Sequence, residues 1–246
     1  MKNFKDIHGC IPVTKDKKFT KVNIDGKILW GKSYLEEADR ICRQGYFSRE
    51  GSEEKRKATD FMWYLWCGAD SPLFGKDAMK TFERYFINDK ALHKENKNPY
   101  YSFYEDIDFI NMIFKEFDLN PETSHIINGH VPVKEKNGEN PVKAQNRLIV
   151  IDGGFSKAYQ SETGLAGYTL IYNSYGLKLV SHKPFQDVKN AIENCIDIHS
   201  STRIVKRVLQ RKRVKDTDIG AKLESQIDDL YELLEAYKKG FIKEKH

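Results

Sequence analysis

From Ser124 to Gly176 the chain alternates short apolar runs with clusters of glycine, asparagine and serine, and this stretch organises the rest. Three runs read as strands: Ile126-Ile127, Leu148 to Ile151, and Tyr168 to Tyr172. Each stops at a small polar cluster, the punctuation at which strands turn. Gly176 to His182 reads as the last strand, paired with Tyr168 to Tyr172 through an Asn-Ser-Tyr-Gly turn. His130 follows Gly129 where the first run stops, and Lys157 follows Gly153-Gly154 where the second stops. A strand ending in Gly-His lets the backbone turn sharply and aims an imidazole out of the sheet edge, with a rigid sheet behind it.

Upstream, Phe4 to Pro12 reads as a core strand with almost no lead-in, and its His8-Gly9 pair repeats the pattern of Gly129-His130. Val22, Ile24, Ile28 and Trp30 flank Asp25-Gly26, a hairpin signal because glycine accepts the positive φ of a tight turn. Helical spacing predicts helices over Tyr34 to Arg43 and Glu53 to Trp66. It also predicts one over Lys76 to Phe86, with Met79, Phe82 and Phe86 inward. His93 to Pro99 reads as a solvated polar loop, its basic residues offering an alternative role toward an anion. Tyr100 to Phe117 resumes as a helix whose Ile107, Ile110, Phe114 and Phe117 stripe reads as core. Beyond His182, helical segments are expected to the end. Leu223, Ile227, Leu230, Leu234 and Tyr237 form a seam of about two heptads, expected to pack on the protein's own sheet rather than in a coiled coil.

With 246 residues the chain is long enough for one sizeable core. A net charge of +5 suits an anionic small substrate without demanding nucleic acid. The most basic stretch, Arg203 to Lys215, has no aromatic stacking platform beside it and reads as a solvated helix face or a regulatory anion site. No apolar run approaches the roughly 20 residues of a membrane helix, and the first residues carry no secretory h-region. Cys10, Cys42, Cys67 and Cys195 are scattered, which fits free thiols in a reducing cytoplasm.

Among seven histidines, His8 and His130 stand out as candidate metal ligands because each adjoins a glycine at the end of an apolar run. His125, on the strand side of the same loop, reads as a supporting or a structural residue, and His93, His182 and His199 have no evident partner. Two histidines alone do not hold a catalytic metal, which takes three or more protein ligands. Asp152 is a third candidate, although an aspartate before two glycines usually caps its own turn.

Longer segments carry a resemblance: G-C-I-P after His8, W-Y-L-W-C-G-A-D-S-P-L-F-G-K at Trp63 to Lys76, and T-F-E-R-Y-F at Thr81 to Phe86. H-I-I-N-G-H-V-P-V-K at His125 to Lys134, I-D-G-G-F-S-K-A-Y-Q at Ile151 to Gln160, G-Y-T-L-I-Y-N-S at Gly167 to Ser174 and D-T-D-I-G at Asp216 to Gly220 complete it. Nearly end to end, the chain resembles the C-terminal portion of the class III fructose-1,6-bisphosphatases of Firmicutes, within the calcineurin-like metallophosphatase superfamily. The resemblance implies an α+β, αββα fold: a β-sandwich flanked by helices, here lacking its N-terminal part. It implies a two-metal site, usually manganese, in which His8 and His130 ligate the second metal. Lys134, Lys143 and Lys157 are candidates for holding the sugar's second phosphate, as point charges near glycine turns.

That superfamily pattern also places D-x-H, G-D-x-x-D and G-N-H-D/E motifs nearer the N-terminus. None of the three is read in this sequence, which contains no Gly-Asp-x-x-Asp and no Gly-Asn-His, so no catalytic residue is assigned and the metal site is expected to be incomplete. The expected organisation is residues 1–185 as the C-terminal part of the metallophosphatase domain, with a helical insertion about 32–120, and 186–246 as a helical region. The expected activity is hydrolysis of fructose 1,6-bisphosphate to fructose 6-phosphate in gluconeogenesis, in the cytoplasm. Without the ligands of the first metal, the chain alone is expected to be inactive, and a separately encoded N-terminal half or a homo-oligomer would be its partner. The alternatives are a phosphoprotein or dinucleoside-polyphosphate phosphatase of the same superfamily, or a non-catalytic remnant. An exposed sheet edge and an uncovered apolar face are further expectations.

Overall fold

A computed structural model describes residues 4–185, 187–195 and 200–242. Their contacts divide into two units. One takes Leu170–Val180 and the described chain from Thr202 onward; the other takes the described residues up to Thr169 together with Ser181–Ser201.

In the larger unit β1 (Phe4–Ile7) leads into an irregular segment and a hairpin, β2 (Val22–Ile24) and β3 (Lys27–Leu29). The hairpin turns at Asp25 and Gly26, both at positive φ, as the sequence required. Helices α1 (Gly31–Phe47) and α2 (Glu53–Cys67) follow. Ser52 starts α2 by accepting the Lys55 amide. Ile24, Tyr34, Ile41 and Ala58 form one apolar cluster between hairpin and helices.

The next expectation fails. Only Thr81–Phe86 is helical (α3), and the rings of Phe82 and Phe86 are exposed rather than inward. Lys76 instead forms an antiparallel bridge with Lys97, so the segment before α3 is extended. The polar loop is also more ordered than its composition suggests. Glu95 is nearly buried there and accepts Lys76 Nζ at 2.6 Å, Arg84 at 3.1 Å and the Lys80 amide at 2.9 Å.

Tyr100 to Phe117 is not one helix. A 3-10 turn over Pro99–Phe103 is followed by α4 (Ile107–Glu116), because Asp106 caps a new helix by accepting the Phe109 amide. Ile110 and Phe114 of the expected stripe are fully buried, joined by Phe109 and Ile113. Strands β4 (His125–Asn128), β5 (Val142–Lys143) and β6 (Leu148–Val150) complete a four-stranded sheet ordered β1-β4-β6-β5. β1, β4 and β6 run parallel and β5 antiparallel. Leu148, Ile149 and Val150 are buried on both faces, the run expected of a strand covered on each side. Among the described residues β1 has no partner on its outer side.

Helix α5 (Lys157–Thr163) precedes β7 (Gly167–Asn173) and β8 (Gly176–His182), neighbours joined by Ser174-Tyr175. After α6 (Val188–Glu193), β9 (Ser200–Arg207) joins them in the order β7-β8-β9. The basic run is therefore no helix face. Its first residues, with β-branched Ile204 and Val205, form the end of β9, and the rest is a loop with a 3-10 turn at Val214–Asp216. Helix α7 (Asp218–Lys238) closes the described chain, capped by Thr217. Its seam does not pack on a sheet: Leu223, Ile227, Leu230, Leu234 and Tyr237 are all exposed. No helix among the described residues is long and apolar enough to cross a membrane.

Candidate functional site

Parallel pairing of β1 and β4 puts Ile7 opposite Asn128, so the residues just past each strand end emerge side by side. His8 and His130 meet there edge to face, ring centroids 5.2 Å apart at 68°. The Gly129 amide donates to Ile7 O at 3.1 Å and the Val131 amide to Gly129 O at 2.8 Å, closing a three-residue turn with His130 at its centre. His130 takes a φ of 66°, the rarer and more strained form of such a turn for a residue with a Cβ. The tether at Gly129 and the turn together aim its imidazole at His8.

Asn128 holds this arrangement from beneath. Fully buried, it accepts the Tyr100 hydroxyl at 2.6 Å and donates its amide to Gly9 O at 3.0 Å and Gly129 O at 3.1 Å. One side chain thus clamps both loops to the sheet. A third loop closes the other side. The Cys10 amide donates to Pro72 O at 2.8 Å, and a Cβ on Gly9 would lie 2.1 Å from that same oxygen, so only glycine fits. Ser71, buried, accepts the amides of Leu73 and Phe74 and shapes this loop. Burial pushes the Cys10 thiol up to about 12, so it stays protonated.

Burial also pulls the His130 pKa below its ordinary value. The neighbouring His8 and the Lys76 ammonium add to that, against opposing effects of the Phe74 backbone and Asp152. The shift favours the neutral imidazole, the form that ligates metals. Asp152 is close enough to act on His130, but its Oδ1 accepts the Gly154 amide at 2.9 Å, the capping role its sequence context suggested. Among the described residues no three or more histidines, cysteines, aspartates or glutamates gather as a metal-holding group. Two imidazoles are present where a catalytic metal takes at least three protein ligands, so these residues alone do not make the site.

The other sequence candidates are dispersed. His125 begins β4 at the end opposite His130, buried, with Nδ1 2.7 Å from Asn146 O and its ring stacked on Phe4. His93 lies 2.8 Å from Ile87 O, and His182 contacts Thr169 and Ser200. His199 lies outside the described residues. Lys143 is buried, with Glu139 at 3.1 Å and Glu105 at 3.5 Å from its ammonium. Lys157 opens α5 on the surface. Lys134 is exposed four residues beyond His130 and lines a cleft there with Lys15, Lys97 and Tyr101.

A family model described as Firmicute fructose-1,6-bisphosphatase matches residues 3–239. The chain belongs to that family. It is 60% identical over 237 residues, 96% of its length, to fructose-1,6-bisphosphatase class 3 2 of Clostridium beijerinckii. It is 56% identical over 239 residues, 97% of its length, to fructose-1,6-bisphosphatase class 3 of Clostridium botulinum. In both cases the match covers 36% of the relative, so the chain spans about a third of their length. No solved structure matches.

Sequence reasoning missed the clamp. Asn128 was visible as the one polar residue ending His-Ile-Ile-Asn, but its partner Tyr100 is 28 residues away. It also passed over Asp6-Ile7-His8, which spells D-x-H across the end of β1. Asp6 is exposed and joins no metal-holding group among the described residues.

Proposed function

We propose that this chain is the C-terminal part of a metal-dependent phosphatase. The reaction is hydrolysis of fructose 1,6-bisphosphate to fructose 6-phosphate and phosphate, a gluconeogenic step in the cytoplasm. The observation that carries the reading is the His8–His130 pair, convergent at the ends of adjacent parallel strands and 5.2 Å apart. Family membership supplies the substrate class, since the relatives are named fructose-1,6-bisphosphatase.

In this reading the sheet is one layer of a calcineurin-like sandwich. His8 and His130 contribute part of the ligand set of one of two metals, manganese in this class. The remaining ligands come from the part of the family protein that this chain does not span. A two-metal centre stabilises both the attacking and the leaving oxygen, which a pair of imidazoles does not do. Phosphate monoesters are among the slowest substrates to hydrolyse without catalysis, so a complete centre is required.

A substrate panel tests the assignment. This chain, substituted for the matching 237-residue stretch of the Clostridium beijerinckii relative, should release phosphate from fructose 1,6-bisphosphate far faster than from a phosphopeptide or a dinucleoside polyphosphate. The opposite preference would assign it to another phosphatase activity.

A further inference from the structure

Two open clefts in the larger unit differ in how their charges are spent. One, about 690 Å³, is bordered by α1 and α2 and lined by Arg40, Lys57 and several acids. Its cations are already engaged, Arg40 with Glu37 at 2.8 Å and Lys57 with Glu53 at 2.7 Å. The other, about 730 Å³, opens beside the His130 loop, with Val131 and Pro132 in its wall. Lys15, Lys97 and Lys134 line it, and among the described residues none of the three ammoniums has an ion pair. The acid in its wall, Glu139, is taken up by the Lys143 ammonium at 3.1 Å and the Lys134 amide at 2.9 Å. Tyr101 and Phe103 add aromatic rings to the lining, and the Lys97 ammonium lies over the Tyr101 ring, 5.9 Å from its centroid.

Unpaired like charges around one cavity repel and raise the energy of the empty site. The pKa of Lys97 is drawn below the ordinary lysine value. Partial desolvation in the cleft is the largest cause, followed by Lys134 and then Lys76, with Glu139 opposing. Lys76 acts on His130 as well, and Val131, the residue after His130, lies in the cleft wall. The bridge between Lys76 and Lys97 pairs those two lysines through the backbone.

We propose that this cleft is a phosphate subsite, in which Lys97, Lys134 and Lys15 hold the phosphoryl group that remains on the sugar while the other is hydrolysed near His8 and His130. The assignment of the bound group to a sugar bisphosphate rests on the function proposed above; the anion site itself does not. Tyr101 and Phe103 offer an apolar face to the carbon skeleton, and the lysines supply point charges without fixing the anion's orientation. Of the lysines suggested by sequence, Lys134 belongs to this group, while Lys143 serves it by occupying Glu139. Lys97 belongs to the polar loop whose basic residues the sequence offered an anion, and Lys15 is added by the fold.

Calorimetric titration of this chain with inorganic phosphate, and separately with fructose 6-phosphate, tests the site without any metal or turnover. Binding should weaken with added salt. It should fall about tenfold in Lys97→Met and in Lys134→Met, the scale of one lost charge-assisted hydrogen bond. Lys57→Met, in the other cleft, should leave it unchanged. Lys97 and Lys134 are exposed, so thermal transitions close to that of the parent chain will certify folding. No measurable binding by the parent chain, or equal affinity in Lys97→Met/Lys134→Met, overturns the proposal. Phosphate binding that depends on the lysines, with fructose 6-phosphate no tighter than ribose 5-phosphate, keeps the anion site and removes the sugar assignment. Turnover of fructose 1,6-bisphosphate by the chimeric enzyme with KM unchanged in the double variant keeps the proposed function and removes this subsite.

Discussion

Replacing Asn128 by alanine should cost more stability than its size suggests, because the amide joins three separate segments. It accepts the hydroxyl of Tyr100, itself fully buried, and donates to Gly9 O and Gly129 O. Gly129 O keeps a second donor in the Val131 amide. The newly stranded groups are therefore the Tyr100 hydroxyl and Gly9 O. A buried polar group left without its partner costs about 1–3 kcal/mol, so the two together cost about 2–6 kcal/mol. For a chain of this size that corresponds to a fall of about 4–24 °C in Tm. Tyr100→Phe removes one partner only and should cost about 1–2 kcal/mol. Because the two side chains share one hydrogen bond, the double variant should be less damaging than the sum, by about 1 kcal/mol or more. Urea unfolding followed by tryptophan fluorescence measures all four proteins. An Asn128→Ala variant within about 0.5 kcal/mol of the parent, or strictly additive effects, would refute the clamp.

Other outcomes follow from the same geometry. In an NMR titration the His130 ring should titrate below the ordinary 6.5, and His8→Asn should raise its midpoint more than Lys76→Met, following the order of causes. Since the unfolded chain then binds the proton more readily, this group should cost stability as pH falls below about 6.5 and cost nothing well above it; a raised His130 midpoint would reverse that sign. Gly9→Ala should destabilise by about 2–3 kcal/mol or more, because the new methyl meets the Pro72 and Leu73 carbonyls. Gly138→Ala, with open space around it but a φ of 77°, should cost only about 1 kcal/mol, and equal losses in thermal melts would contradict the packing argument. Trp63 and Trp66 are exposed and in contact with each other, so Trp63→Ser/Trp66→Ser should reduce binding of a hydrophobic dye while changing stability by less than about 1 kcal/mol; unchanged dye binding would place the apolar patch elsewhere.

Much of the fold is legible where local pattern and burial agree. The Asp25-Gly26 hairpin, α1, α2, the α4 stripe and strands β1, β4 and β6 are of this kind. Local reading fails where burial departs from hydrophobicity. Met79, Phe82 and Phe86 have helical spacing, yet the pairing of Lys76 with Lys97 leaves only a short helix with exposed rings. β9 is masked by its arginines and lysines, and the seam of α7 is apolar but uncovered. Of the candidate site, His8 and His130 were readable because each ends an apolar run beside a glycine. Asn128 with Tyr100, and Lys97 with Lys134, are partnerships across distant parts of the sequence, created only by folding.

The central claim is that His8 and His130 share one metal-dependent phosphatase centre whose other ligands lie outside this chain. The direct measurement is manganese-dependent phosphate release from fructose 1,6-bisphosphate by the chimeric enzyme, compared with its His8→Ala and His130→Ala forms and with this chain alone. The account predicts activity in the chimera, a loss of about a hundredfold or more in each histidine variant, and none from the chain alone. Full activity with both histidines replaced, or turnover by the isolated chain, would contradict it.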